Sequence, residues 1–118
     1  MFEATIADTL TVLESGSRRR RAGGEWQDCG VAGFAVQPLL EDDAAGLRTW
    51  LMRIEPGADA SLHDHAEIEQ VYCLDGEFSD GEAHYAPGDF VVRAPGARHL
   101  TASEKGALLL VVYARGAA

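Results

Sequence analysis

Cysteine and basic residues are both scarce in this sequence. Only two cysteines, Cys29 and Cys73, occur in 118 residues, and two thiols in a cytosolic protein are more often reduced than paired. We therefore expect no disulfide, and we expect Cys73 to pack in the core. Ten basic residues stand against nineteen acidic ones, which gives a formal net charge of −9. That charge repels phosphate backbones and anionic membranes, so we expect neither a nucleic acid nor a membrane partner.

Signals for secretion or membrane insertion are also missing. The N-terminus carries acidic residues early and has no basic region leading into an apolar stretch, which excludes the pattern of a signal peptide or a transmembrane helix. We expect a cytoplasmic protein. The length of 118 residues and the apolar content of 47% suit one globular domain. We expect an N-terminal arm over residues 1–24 and a single domain over residues 25–118.

A long helical period is absent as well, and from Glu25 onward short apolar runs alternate with turn residues. This pattern predicts an all-β sandwich or barrel. The strand candidates are Trp26–Val31, Phe34–Leu40, Leu47–Glu55, Ser61–His65, Glu69–Leu74, Glu77–Asp80, Glu82–Tyr85, Phe90–Ala94, His99–Ala102 and Ala107–Tyr113. Turn pairs such as Asp75-Gly76 and Pro87-Gly88 separate the strands.

The sequence predicts the secondary structure of the first residues less clearly. Residues 1–16 are rich in β-branched residues and suit a strand or a short helix; we favour a strand that pairs with another segment or with a neighbouring subunit. The run Arg18–Arg21 has two interpretations, an anion-binding patch or a solvated loop. The acidic body of the protein favours the solvated loop.

Potential metal ligands are concentrated in one short stretch. His63, His65 and Glu69 lie within seven residues, and in an extended segment the two histidines point to the same face about 7 Å apart. A short turn would bring Glu69 onto the next strand, facing the same interior. Imidazole and carboxylate groups suit zinc, iron, manganese, nickel and copper. His99 is the candidate for a further ligand, and His84 is expected to lie outside the site.

The spacing of these residues resembles the two cupin motifs. The first motif, G(x)5HxH(x)3-4E(x)6G, is reproduced without a gap by Gly57, His63, His65, Glu69 and Gly76. The second motif, G(x)5PxG(x)2H(x)3N, is matched in register by Gly88, Gly96 and His99. Two positions depart from it, because Pro95 falls one residue late and Ser103 stands where the family has Asn. Neither departure removes a ligand.

The stretch CLDGEFSDGEAHYAPGDFVVRAPGARH resembles the cupin domain of ChrR-type anti-sigma factors, and the resemblance extends over residues 25–115. It implies a cupin double-stranded β-helix, which is a jelly-roll barrel. It also implies one divalent transition metal ion, zinc or iron first and manganese, nickel or copper as alternatives. The ligands implied are His63, His65, Glu69 and His99.

ChrR-type proteins also carry an N-terminal helical zinc domain, rich in Cys and His, that binds the sigma factor. Residues 1–24 contain neither residue type, so sigma-factor sequestration is not expected to carry over. The resemblance leaves two functions open. One is a small-molecule metalloenzyme of the oxygenase type, a dioxygenase acting on a diketone or aromatic compound. The other is a non-catalytic regulatory domain that senses a metal or ligand. No clear general base is present besides the ligands, so catalysis stays open.

The strand candidate Ala107–Tyr113 is apolar on both faces. Both faces must then be covered, one by the core and the other by a second element. A second subunit in a homodimer would do this, and so would the N-terminal segment of the same chain. Five aromatic residues could line a pocket or pack in the core, and we favour the core because aromatic residues in a small barrel belong mostly there. They are Trp50, Tyr72, Phe78, Tyr85 and Phe90.

Overall fold

The structure is a computed structural model that describes residues 10–116. Its regular structure consists of antiparallel β-strands. In chain order they are β1 (Thr11–Val12), β2 (Arg18–Arg19), β3 (Gln27–Asp28), β4 (Phe34–Asp42), β5 (Leu47–Ile54), β6 (Asp59–His63), β7 (Ile68–Gly76), β8 (Phe78–Ser79), β9 (His84–Tyr85), β10 (Phe90–Arg93), β11 (His99–Ala102) and β12 (Ala107–Ala114). Residues 10–116 contain no helix with the length and hydrophobicity of a membrane span.

Two sheets form the body of the protein. The larger has six strands in the order β10-β7-β12-β5-β4-β3, and the smaller has four in the order β6-β11-β8-β9. Alternate residues of β12 are buried, because every second side chain of a strand points to the same face. Leu109 and Val111 of β12 enter one buried cluster with Phe78 of β8, so the core lies between the sheets. This arrangement agrees with the predicted jelly roll.

Most predicted strands are present, with shifted ends. The strand predicted over Ser61–His65 runs instead over Asp59–His63, so His65 lies in the loop that leads to β7. The strand predicted over Trp26–Val31 is reduced to Gln27–Asp28. It ends there because the Asp28 carboxylate accepts a hydrogen bond from the backbone N–H of Gly30 at 2.9 Å, which turns the chain.

The N-terminal segment folds onto its own chain. Arg18–Arg19, predicted as a solvated loop, forms strand β2 and pairs with β1. Arg20 Nη2 donates to Gln37 Oε1 at 2.8 Å, and Gln37 Nε2 donates to the carbonyl of Gly24 at 2.8 Å. These bonds hold the segment against the outer face of β4. The strand predicted over residues 1–16 lies outside the described residues up to Thr9.

Two of the aromatic residues predicted for the core are on the surface. Tyr72 and Phe90 are 42% and 53% exposed and lie opposite each other across β7 and β10. The alternation of these strands instead directs Val71 and Val91 inward. The outer face of the larger sheet is therefore covered by the N-terminal segment near β4 and is apolar and open near β10. As expected, both cysteines are free, and Cys73 is buried.

Candidate metal centre

Three of the four histidines meet in the structure, as the motifs predict. His63 ends β6 and His99 begins β11, and the two are directly opposed in the strand register. His65 approaches from the loop, with its ring centroid 5.0 Å from that of His63 and 5.6 Å from that of His99. One candidate ligating atom from each histidine lies within 4.8 Å of the others. His84 lies exposed in β9, outside this cluster.

Backbone carbonyls orient two of these rings. His63 Nδ1 lies 2.7 Å from the Ser61 carbonyl oxygen, and His99 Nδ1 lies 3.2 Å from that of Ala97. When Nδ1–H donates to a carbonyl, the lone pair of the ring is on Nε2, which is the arrangement found in metal-binding histidines. Burial and the nearby Arg93 guanidinium lower the pKa of His99, which favours its neutral form. A metal ion binds that form.

The third ring carries a buried nitrogen whose chemistry is compatible with an ion. His65 Nε2 is buried and has no hydrogen-bond partner. A buried polar atom is normally satisfied by protein, water or an ion. Because the unsatisfied atom is an imidazole nitrogen beside two more imidazoles, its chemistry suits a divalent transition metal.

Glu69 adjoins the histidines. Its Oε2 lies 3.5 Å from His65 Nε2 and its Oε1 lies 3.4 Å from His99 Nε2. The side chain is buried, and Oε1 accepts a hydrogen bond from Arg93 Nη1 at 2.7 Å. Glu69 is not one of the residues whose ligating atoms all lie within 4.8 Å of one another among the described positions. The carboxylate is thus a neighbour of two histidines and the ion-pair partner of an arginine.

Arg93 and Asp80 belong to this site, and the sequence interpretation missed both. Arg93 lies opposite Glu69 in the register of β10 and β7, and its Nη2 also lies 3.1 Å from Asp80 Oδ2. Burial raises the pKa of Asp80, but hydrogen bonds from Tyr85 and from two backbone N–H groups outweigh burial and lower it. The available signal was an arginine at an inward position of an otherwise apolar strand, because a buried charge needs a partner.

A cavity of ≈ 340 Å³ opens beside the cluster between the two sheets. His63, His65 and Glu69 line its polar end, and apolar side chains, including Trp50 and Leu109, form most of its remaining wall. Its volume lies within the range of about 300–1,000 Å³ that is usual for small-molecule sites. The arrangement places a polar, metal-compatible end next to an apolar chamber.

Arg48 packs beside the centre. Its guanidinium lies 4.6 Å from the ring centroid of Trp50 and 4.3 Å from that of Tyr113. It also pairs with Glu67 at 2.8 Å, and the Glu67 side chain is half-buried in this ion pair. The Tyr113 ring in turn contacts the ring of His65, with centroids 5.2 Å apart. Arg48 therefore helps to fix the ring that supports His65.

Comparison with known families decides the identity of the fold. The sequence matches the family described as the ChrR Cupin-like domain over residues 20–116. The chain belongs to this family. The match begins within the predicted N-terminal arm, at Arg20, where the hydrogen bonds to Gln37 also begin. Comparison of this ChrR-like cupin with curated proteins gives no match.

Solved structures with the same fold include several cupins. An RmlC-like cupin from Shewanella frigidimarina has a TM-score of 0.69 and 24% identity, over 78% of this chain and 84% of that one. The anti-sigma ChrR of Rhodobacter sphaeroides, solved in complex with SigE, has a TM-score of 0.67 and 22% identity, over 80% of this chain. This chain spans 51% of that protein's length. KdgF from Halomonas sp. has a TM-score of 0.64 and 21% identity.

Proposed function

We propose that this ChrR-like cupin is a small-molecule metalloenzyme of the oxygenase type. His63, His65 and His99 would hold one divalent transition metal ion, with Glu69 as the fourth group. The observation that supports this most is the partnerless, buried Nε2 of His65, set beside two further imidazoles. When bound, the ion would supply a Lewis acid or a redox centre.

The chain's own residues would select the substrate. The cavity wall beside the histidines is mostly apolar and includes Trp50, Met52 and Leu109. Such a wall suits an apolar or aromatic compound and excludes water from the ion's neighbourhood. A diketone or an aromatic compound with an oxygen donor fits both ends of the cavity, because the donor would face the ion and the carbon skeleton would face the wall.

The identity of the metal depends on the function. Zinc or iron is proposed first, and manganese, nickel or copper would also suit imidazole ligands. Oxygenase chemistry requires a redox-active ion, whereas zinc would serve a Lewis-acid or sensing function. Because affinities follow the Irving–Williams order, purified protein can carry the metal that was available rather than the functional one.

A regulatory domain is the second candidate. The family match and the fold shared with the anti-sigma ChrR, which was solved in complex with SigE, favour it. In that case, binding of a metal or small ligand at the same centre would alter association with a protein partner. The acidic charge of −9 supports the prediction that the protein binds neither nucleic acid nor membranes. The cytoplasmic location predicted from the N-terminal sequence stays a proposal.

Elemental analysis of protein purified without chelator or a nickel column tests this proposal. The parent is compared with a His63→Ala/His99→Ala variant and with His84→Ala, the exposed histidine outside the cluster. About one equivalent of iron, manganese or copper, lost only in the double variant, supports the oxygenase and justifies oxygen-uptake assays with diketones and aromatic compounds. Stoichiometric zinc without oxygen uptake supports the regulatory domain. Absence of metal from the parent even after reconstitution contradicts both.

A further inference from the structure

A buried ion-pair network adjoins the three histidines. Arg93 is 8% exposed and donates to Glu69 Oε1 at 2.7 Å and to Asp80 Oδ2 at 3.1 Å. Both carboxylates are also buried. One guanidinium thus faces two carboxylates, which leaves the three side chains with an excess of negative charge. The pairing with Arg93 offsets part of the cost of burying the two carboxylates.

The far end of this network is fixed. Asp80 accepts hydrogen bonds from the Tyr85 hydroxyl at 2.7 Å and from the backbone N–H groups of Ala83 and Glu82 at 2.9 and 3.0 Å. The guanidinium is a rigid, planar fork. With one prong held by Asp80, Arg93 cannot follow the Glu69 carboxylate if that group turns away. Ligation of an ion through Oε1 of Glu69 must therefore compete with the arginine for the same oxygen.

Glu69 and His65 differ in whether their polar atoms already have hydrogen-bond partners. The Glu69 carboxylate already accepts a hydrogen bond from Arg93 through Oε1. His65 Nε2, at 3.5 Å from Glu69 Oε2, has no hydrogen-bond partner. The atom that lacks a partner at this centre belongs to a histidine, whereas the carboxylate is already paired with Arg93.

We propose that Arg93 is a positioning residue that keeps Glu69 ion-paired and thereby makes it a weak, displaceable ligand of the ion held by the three histidines. Glu69 and Arg93 both line the ≈ 340 Å³ cavity. The coordination position on the Glu69 side is consequently available to a small molecule that enters the cavity. This inference rests on the proposed metal site and specifies which of its ligands can be exchanged.

Cobalt(II) titration tests the proposal, because its visible absorption reports the ligand set directly. The decisive variant is Arg93→Met/Asp80→Asn, which removes one buried charge of each sign and frees Glu69 from its ion pair. The released carboxylate is expected to ligate the ion. Cobalt affinity should then rise by about tenfold or more, which is the scale of outer-shell effects at metal sites, and the visible spectrum should change. Adding Glu69→Gln should abolish both effects.

Glu69→Gln in the otherwise unchanged protein gives an independent test, which holds even if the double variant does not fold. It should change cobalt affinity by less than about threefold, well below the outer-shell scale, and leave the spectrum near that of the parent. A loss as large as that of His65→Ala would show Glu69 to be a full ligand and would overturn the inference. Tighter binding that persists after Glu69→Gln is added to the double variant would also overturn it. Failure of the parent to bind cobalt would instead reject the proposed metal site itself.

Discussion

The Nε2 atom of His65 lies 3.5 Å from the Oε2 atom of Glu69, yet it makes no hydrogen bond and is shielded from solvent. An unsatisfied buried nitrogen destabilises the metal-free protein. The same nitrogen can stabilise a bound ion. In the proposed metal site, His65 would therefore favour metal binding at the expense of the metal-free state.

The first prediction concerns His65→Leu. Stability of the metal-free protein should stay within about 1 kcal/mol of the parent, because replacing an unsatisfied polar group by an apolar one of similar size is close to neutral. Zinc at 100 times its dissociation constant should stabilise the parent by about 2.7 kcal/mol and the variant much less. Chemical unfolding with and without zinc measures both quantities, and His84→Leu is the control. An equal zinc effect in parent and His65→Leu would contradict the prediction.

Much of the candidate centre could be predicted from the sequence, because local spacing determines it. The first motif contains two histidines two residues apart, and a short connection to the next strand brings Glu69 beside them. His99 was predictable from the second motif alone. The structure brings the three histidines together although His65 lies in a loop. The turn after His63 places the His65 ring beside that of His63, which an extended strand was expected to do.

The parts that sequence reasoning missed depend on which strands pair. Arg93 faces Glu69 because β10 lies next to β7 in antiparallel register, and no local spacing reveals that neighbour. Asp80 reaches Arg93 from the connection between β8 and β9, two strands of the smaller sheet. The exposure of Phe90 has the same origin, because β10 is the edge of the larger sheet and its outer side chains have no cover.

A second prediction concerns the effect of pH on stability through Glu77. Backbone hydrogen bonds from Lys105 and Glu104 and a hydrogen bond from the Ser103 hydroxyl lower the pKa of Glu77 from its ordinary value of 4.5. Folding therefore favours the ionised carboxylate. This stabilisation is complete above the unfolded-state value and is lost as pH falls through the lower, folded-state pKa.

Glu77→Gln should accordingly be less stable than the parent at pH 7, and the difference should shrink progressively below about pH 4.5. Urea unfolding at several pH values measures it. The control is Glu104→Gln, an exposed residue of the same turn. A difference that does not change with pH would show that the hydrogen bonds, rather than the charge, account for the effect.

A third prediction compares the cost of an alanine substitution at the two glycines of the first motif. Both Gly57 and Gly76 have positive φ, 84° and 75°, which costs about 1–2 kcal/mol for a residue with a Cβ. A Cβ on Gly57 would meet nothing within 4 Å, whereas one on Gly76 would collide with the backbone of Gly106. Gly57→Ala should cost about 1–2 kcal/mol, and Gly76→Ala clearly more. Equal losses in urea unfolding would contradict this interpretation.

The last prediction is that the protein forms a homodimer through the uncovered end of the larger sheet. The bonds of Arg20 and Gln37 show that the chain covers this face itself near β4. Near β10 the face stays apolar, with Phe90 53% and Val92 57% exposed, and a second copy would remove this surface from water. Light scattering after gel filtration should give a dimeric mass at micromolar concentration and a monomeric mass for Val92→Lys. Leu62→Lys, at a residue 52% exposed on the other sheet, should stay dimeric. A monomeric parent would reject the dimer, and a dimeric Val92→Lys would place the interface on another surface.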